Sequence, residues 1–176
     1  MPSTDARRVA IRPADQPGDL GWVIQAHGEV YAAEYGWDSS FEALVARIVA
    51  NFASGHDVAR EAGWIAEVDG QRAGCVLCVA ADKETAELHT LLTLPVARGL
   101  GIGSGLVQTC MDFARAAGYS RMVLWTNSVL VAAIRIYLAS GFRLTGEEPH
   151  HSFGADLVGQ TYEADLVGAP AVLESD

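Results

Sequence analysis

Basic charge is scarce in this chain. Twelve lysines and arginines stand against 22 aspartates and glutamates, a formal net charge of −10. Nucleic-acid modules carry a basic face that displaces counterions from phosphates, and no basic run here is longer than Arg7-Arg8. The balance argues against nucleic acid and against an anionic membrane surface, and would attract cationic partners. Long apolar runs are missing as well: none approaches the ~18 residues of a membrane span. The stretch from Met1 to Asp19 has no apolar core of a secretory leader, so the expectation is a soluble, cytoplasmic protein. Cysteine is sparse, with Cys75, Cys78 and Cys110 alone. Cys75 and Cys78 have CxxC spacing but lie in an apolar, strand-like run, where an offset of three points them to opposite faces. No second CxxC and no histidine pair at zinc spacing accompanies them. Core thiols and no metal site are expected.

What is present is an ordinary globular composition, 50% hydrophobic and 19% charged. Arg7 to Arg12 alternates like a strand. A helical pattern follows from Pro17 to Gly36, then a second helix with Ser39 as N-cap and Glu42 closing a capping box. Trp64–Val68, Arg72–Ala81 and Ala86–Leu94 read as an antiparallel meander, with Asp69-Gly70 as a hairpin turn. An apolar stripe from Leu106 to Ala117 marks a third helix, and Met122–Thr126 a strand. Val129 to Ile136 starts a fourth helix, apolar on two sides and hence expected to be buried on two sides. Phe142–Glu147 and Gln160–Leu166 are the last strands. The order β-α-α-β-β-β-α-β-α-β-β predicts one α/β domain over residues 1–168: a single mixed, mostly antiparallel sheet flanked by helices. Residues 169–176 read as a flexible tail.

The densest signal is Ala97-Arg-Gly-Leu-Gly-Ile-Gly-Ser-Gly-Leu106. Glycines ahead of a helix let its unsatisfied N–H groups approach an anion. Arg98 adds a cationic fork suited to phosphate oxygens. A Walker loop would need a lysine after these glycines, and none is there. A dinucleotide fingerprint would need a third glycine where Leu106 stands. The stretch therefore reads as a cradle for some other phosphate ester.

Arg98-Gly99-Leu100-Gly101-Ile102-Gly103 resembles the acyl-CoA-binding motif R/Q-x-x-G-x-G/A of the GNAT N-acetyltransferases. Ala133-Ile-Arg-Ile-Tyr137-Leu-Ala-Ser-Gly141-Phe142 resembles that family's second signature, A-x-x-x-Y-x-x-x-G-F. The two stand in the family's order, joined by a helix and a strand. The whole chain is also similar to GNAT domains fused in some bacteria to MarR-type regulators, with no such DNA-binding part within these residues.

The resemblance implies the acyl-CoA N-acyltransferase fold, acetyl-CoA as donor, and direct attack by an amine of a small molecule or peptide. It also implies a homodimer as a possible assembly. CoA pyrophosphate would lie on the N–H groups of Gly99 to Gly105, including Leu100, Ile102 and Ser104. The pantetheine arm would pair with Leu92, Thr93 and Leu94. The family has Asn three residues before the alanine of the second signature. Leu130 stands there instead, and a lengthened helix start would bring Asn127 to a similar place and give it a cofactor contact. Tyr137 reads by spacing as a core aromatic; the resemblance makes it the group that stabilises or protonates the leaving thiolate. Glu87 and His89 are candidate bases, and strand alternation would put them on one face with Leu91 and Thr93. His150 and His151 read as a loop near the acceptor pocket, diverging and so not a metal pair. Glu29, Glu34 and Trp37 lie where the family lids its acceptor, the glutamates also fitting a solvated helix face. A non-catalytic acyl-CoA sensor of the same fold is the alternative.

Overall fold

The computed structural model describes residues 6–55 and 57–167. Its elements are β1 (Val9–Pro13), α1 (Asp19–Tyr35), α2 (Ser39–Ala53), β2 (Ala62–Val68), β3 (Gln71–Ala80), β4 (Thr85–Thr93), α3 (Ile102–Ala116), β5 (Arg121–Asn127), α4 (Val131–Ala139), β6 (Arg143–Ser152) and β7 (Ala155–Asp165). The expected order of elements is met. The strands form a seven-stranded sheet in the order β1-β2-β3-β4-β5-β7-β6. Every neighbouring pair is antiparallel except β4 and β5. The parallel pair is the one joined through a helix, α3, as a crossover requires. Among the described residues, no helix is long and apolar enough to cross a membrane.

Each face of the sheet buries its own core. On one face α3 inserts Leu106, Val107, Cys110 and Ala114 against Val76, Cys78, Leu88, Met122 and Leu124. On the other, Val23 and Ala26 of α1 with Val45, Val49 and Phe52 of α2 cover Ile65, Cys75, Leu77 and Leu92. Cys75 and Cys78 thus face opposite cores, as their spacing predicts, and all three cysteines are buried and free. A third, aromatic cluster joins Trp37 to Phe153 and Leu157, pinning the tip of the β6–β7 hairpin to the start of α2.

Four expectations are corrected. Ser39 is not the cap of α2: the Asp38 carboxylate accepts the Ser40 N–H at 2.9 Å, and Ser39 is the first helical residue. Glu-Pro-His-His-Ser-Phe-Gly is not a loop, since β6 runs to Ser152 and turns through Phe153 and Gly154, with φ 59° and 78°. Both residues are left-handed, the geometry of a tight two-residue hairpin. Helix α4 is not buried on two sides: Tyr137 is its one buried residue, while Val131 and Leu138 are 52% and 53% exposed. The helix has a single inner side, because it rims a cleft. The fourth correction concerns alternation in β4. Pairing steps from Cys75↔Leu92 to Leu77↔His89, so β4 carries one extra residue there. Thr90 adopts φ 56° at this bulge. Beyond it the faces exchange: Leu88 and Leu91 pack toward α3, and Leu92 toward α1 and α2. Glu87 and His89, opposite Val79 and Leu77, therefore lie on the α1–α2 face and do not share a face with Leu91.

Candidate active site

The site begins as a split in the sheet. β4 and β5 pair only over Thr85↔Arg121, Ala86↔Met122 and Glu87↔Val123. Beyond Glu87 the β5-side peptide groups of β4 have no strand partner, while β5 itself stays paired to β7 as far as Asn127. The opening widens into a cleft of about 310 Å³ between α1, the end of β4, the start of α3 and α4. Leu91, Leu92 and Thr93 line it from the strand, and Leu130, Ala133 and Ile136 from the α4 side.

At its mouth lies the glycine loop. Gly99 and Gly101 take φ 84° and 76°, a conformation that costs a side-chain-bearing residue about 1–2 kcal/mol. The first helical bond of α3 runs from Gly105 N–H to Gly101 O at 3.0 Å, and among the described residues the N–H groups of Gly99 through Ser104 find no backbone acceptor. A row of free amides at a helix start is an anion seat. Gly103 lets the Ile136 side chain reach the loop: a Cβ there would stand 2.6 Å from Ile136 Cδ1 of α4 and push that methyl aside. Arg98, Gly99, Gly101, Ile102, Gly103 and Ser104 all line the cleft; Leu94, Leu100, Gly105 and Asn127 do not. Leu94 N–H is tied back to Ala73 O at 2.8 Å. Arg98 meets Glu34 of α1 at 2.6 Å, so Glu34 belongs to the cleft wall and is no bystander on a solvated face.

Tyr137 sits one residue beyond Ile136, below the lining, with its ring against Phe142 and Tyr162 at 5.8 and 6.3 Å. Its hydroxyl has no hydrogen-bond partner among the described residues, yet it keeps accessible surface, because Thr90 Oγ1 is the one fully buried side-chain oxygen left unpartnered among them. Burial pushes the phenol well above its usual range, and the nearby Tyr31 hydroxyl adds to this.

Across the split, Glu87 Oε1 lies 3.3 Å from His89 Nε2. His89 holds the Glu87 carboxyl below the usual range, against a smaller opposing effect of burial. Asn127 ends β5, and its Oδ1 is engaged by His150 Nε2 at 2.7 Å. His150 Nδ1 meets Ser152 Oγ at 2.9 Å, while His151 turns away to Asp156 at 2.8 Å. The two histidines diverge as expected, and among the described residues no cluster could hold a metal ion. Glu29 is exposed and bonded to Gln25. Trp37 is buried at 4% exposure between Tyr31 and Phe153, so it is packing and not a substrate face.

Residues 22–142 match the model of the Acetyltransferase (GNAT) family. The chain belongs to the GNAT acetyltransferase family. Human N-acetyltransferase 8B is 33% identical over 93 residues, 50% of this chain and 41% of that protein. Rat N-acetylaspartate synthetase is 36% identical over 89 residues, 50% of this chain and 30% of that one. The aligned part thus spans less than half of either relative. Among solved structures, yncA of Salmonella typhimurium with its cofactor acetyl-CoA superposes with TM-score 0.72 at 21% identity, covering 93% of this chain and 97% of that chain. The ribosomal-protein-S18-alanine N-acetyltransferase of Escherichia coli gives TM-score 0.68 at 18% identity, covering 96% and 100%. These likenesses establish the GNAT fold, a mixed seven-stranded sheet flanked by four helices.

Within the GNAT frame, the two motifs named from sequence converge on one cleft. Sequence pointed to the early helical region as a lid, naming Glu34 correctly but missing the apolar residues of this third wall. Val30, Tyr31 and Tyr35 of α1 close the cleft from above, and no motif marks them. Tyr31 and Tyr35 are one helical turn apart on α1, a spacing that by itself does not tell a core stripe from a cleft wall.

Proposed function

We propose that this GNAT protein transfers an acetyl group from acetyl-CoA to a primary amine of a small molecule or peptide, by direct attack in a ternary complex. The split between β4 and β5 carries this reading, because it joins an anion seat on one side of the sheet to a carboxylate–histidine pair on the other. The free N–H groups from Gly99 to Ser104, with Arg98, fit a pyrophosphate. The apolar walls from Leu91, Leu130 and Ile136 fit an alkyl arm, and the unpaired edge near Leu92 and Thr93 can bond its amides. A β4 N–H polarises the thioester oxygen, as an oxyanion hole does; the strand edge left open beyond Glu87 supports this.

An alkylamine near pKa 10 arrives protonated. Glu87, held ionised by His89, orients the imidazole, and His89 takes the ammonium proton. The amine nitrogen attacks the thioester carbon, the C–S bond breaks with its electron pair going to sulfur, and the second nitrogen-bound proton passes to water as the amide forms. Tyr137 Oη donates a hydrogen bond to the sulfur. Full transfer would be uphill, from a phenol raised above pKa 10 to a thiolate whose acid has a pKa near 8.5, so stabilisation of the thiolate is the role that fits. Asn127 enters through His150 and not through the donor.

Calorimetric titration with acetyl-CoA, dephospho-CoA, ATP and NAD tests the reading. Selective acetyl-CoA binding is expected, weakened at least ~100-fold in Gly101→Glu, which sets a carboxylate among the seat's amides. Absence of CoA binding would sink it. Binding without turnover on any amine would leave the sensor alternative.

A further inference from the structure

Trp125 is the most exposed of the Phe, Tyr and Trp side chains among the described residues, at 45%, and it is built into the sheet face rather than left at a loop tip. The Nε1–Cε2–Cζ2 edge of its indole abuts Gly159 of β7. A Cβ at Gly159 would meet Cζ2 at 2.8 Å, Nε1 at 2.9 Å and Cε2 at 3.0 Å, so only glycine leaves the ring this room. The His150 ring stands beside it at 5.4 Å, tilted 50°. That imidazole is itself fixed at both nitrogens, by Asn127 and Ser152.

The register places this platform beside the chemistry. Glu87 and Val123 are the last paired residues before the split. His89 and Trp125 lie two residues further along their strands, on the same face and on opposite sides of the opening. Glu163 and Glu148 share that face through their pairings with Val123 and with Gly159. A substrate amine must reach His89, so the group resting on Trp125 is the other end of the acceptor. A flat, polarisable seat with a tilted ring at its edge fits an aromatic ring; Arg143 shares the face and pairs with Glu163 at 4.0 Å, which leaves Glu87 and Glu148 as the charges there that disfavour a carboxylate.

We propose that Trp125 is a specificity-determining residue that seats an aromatic ring of the acceptor, making arylalkylamines without a carboxylate the substrate class. The proposal rests on the acetyltransferase reading above.

The test compares 2-phenylethylamine with hexylamine. By NMR, 2-phenylethylamine should shift the Trp125 indole N–H, assigned by its loss in Trp125→Leu, and hexylamine should not. In turnover, kcat/KM should favour 2-phenylethylamine at least 10-fold. Trp125→Leu should bring that ratio within 2-fold, chiefly through KM, with acetyl-CoA affinity by calorimetry as the folding control. Gly159→Ala, which displaces the indole but keeps it, should move the ratio the same way. An undiminished ratio in both variants, or an indole signal that follows protein concentration instead of amine, would overturn the proposal, the latter by assigning the face to a second copy. If the protein shows no acetyl transfer, the acetyltransferase reading fails by itself, while the indole shift still reports whether the seat takes an aromatic ring.

Discussion

The two edges of β4 tell different stories. Toward β3 the strand is paired from Ala86 to Thr93, interrupted only by the bulge. Toward β5 it is paired over three residues and then left open. The same backbone is paired scaffold on one edge and an open, cleft-lining edge on the other. The closed side carries the dense packing: α1 and α2 on β2 and β3, and a buried carboxylate, Asp19, held by two arginines. The open side carries free amides, an unpaired edge and a phenol without a partner. Stability and function are therefore expected to separate along β4, and substitutions on either side should reveal how cleanly.

The largest effect is expected at Asp19. Its side chain is fully buried, bound by Arg12 at 2.7 and 3.0 Å, by Arg72 at 2.9 Å and by Gln16 N–H at 2.9 Å. The Arg12 guanidinium holds its carboxyl down to about 2. Asp19→Ala leaves two arginines short of a partner and should cost about 3 kcal/mol in urea unfolding. Acetyl-CoA affinity of the folded variant should stay within 2-fold; a large loss would mean that the two sides of β4 are not separable.

An effect of similar size should appear with pH on the same side. His27 is buried, with Nδ1–H donating to Val23 O at 2.7 Å, and burial lowers its pKa to about 4. The unfolded chain takes up a proton near pH 6.5, before the native state does, so stability falls as pH drops from about 6.5 to about 4. The loss is about 3 kcal/mol over that window. Urea midpoints of the wild type should show the decline and those of His27→Gln should not.

Much of this was legible from residue types. The glycine run and the tyrosine signature located both walls of the cleft, and the alternating strands located the meander. The bulge at Thr90 was not legible, because an alternating pattern holds no mark of one inserted residue until pairing exposes it. That single residue decided which face Glu87 and His89 occupy. The salt link from Glu34 to Arg98 was hidden for another reason: 64 positions separate them, and only the fold brings α1 over the glycine loop. Trp125 carried no motif at all, and Gly159 against it gained meaning only from the register.

On the open side, Tyr137→Phe should lower kcat by about 10- to 100-fold, the range of a lost transition-state hydrogen bond. Acetyl-CoA affinity should hold within 2-fold, because the ring still packs on Phe142 and Tyr162. Stability should hold or rise, since the hydroxyl has no partner to lose. Unchanged turnover would remove Tyr137 from the reaction and leave it a core aromatic.

The smallest effect should come from Glu34, and its sign is the informative part. Arg98 is spoken for in the free protein, at 2.6 Å from a carboxylate. An incoming phosphate must take the guanidinium from Glu34 and tolerate the negative charge left beside it. The pair is partly exposed, with side-chain exposures of 48% and 26%, so solvent screening limits its worth to about 0.2–1 kcal/mol. Glu34→Gln should therefore tighten acetyl-CoA by roughly 1.5- to 5-fold, with the gain shrinking as salt rises. If the variant binds more weakly instead, Glu34 orients Arg98 for the phosphates rather than competing with them, and α1 becomes part of the binding edge it now only overhangs.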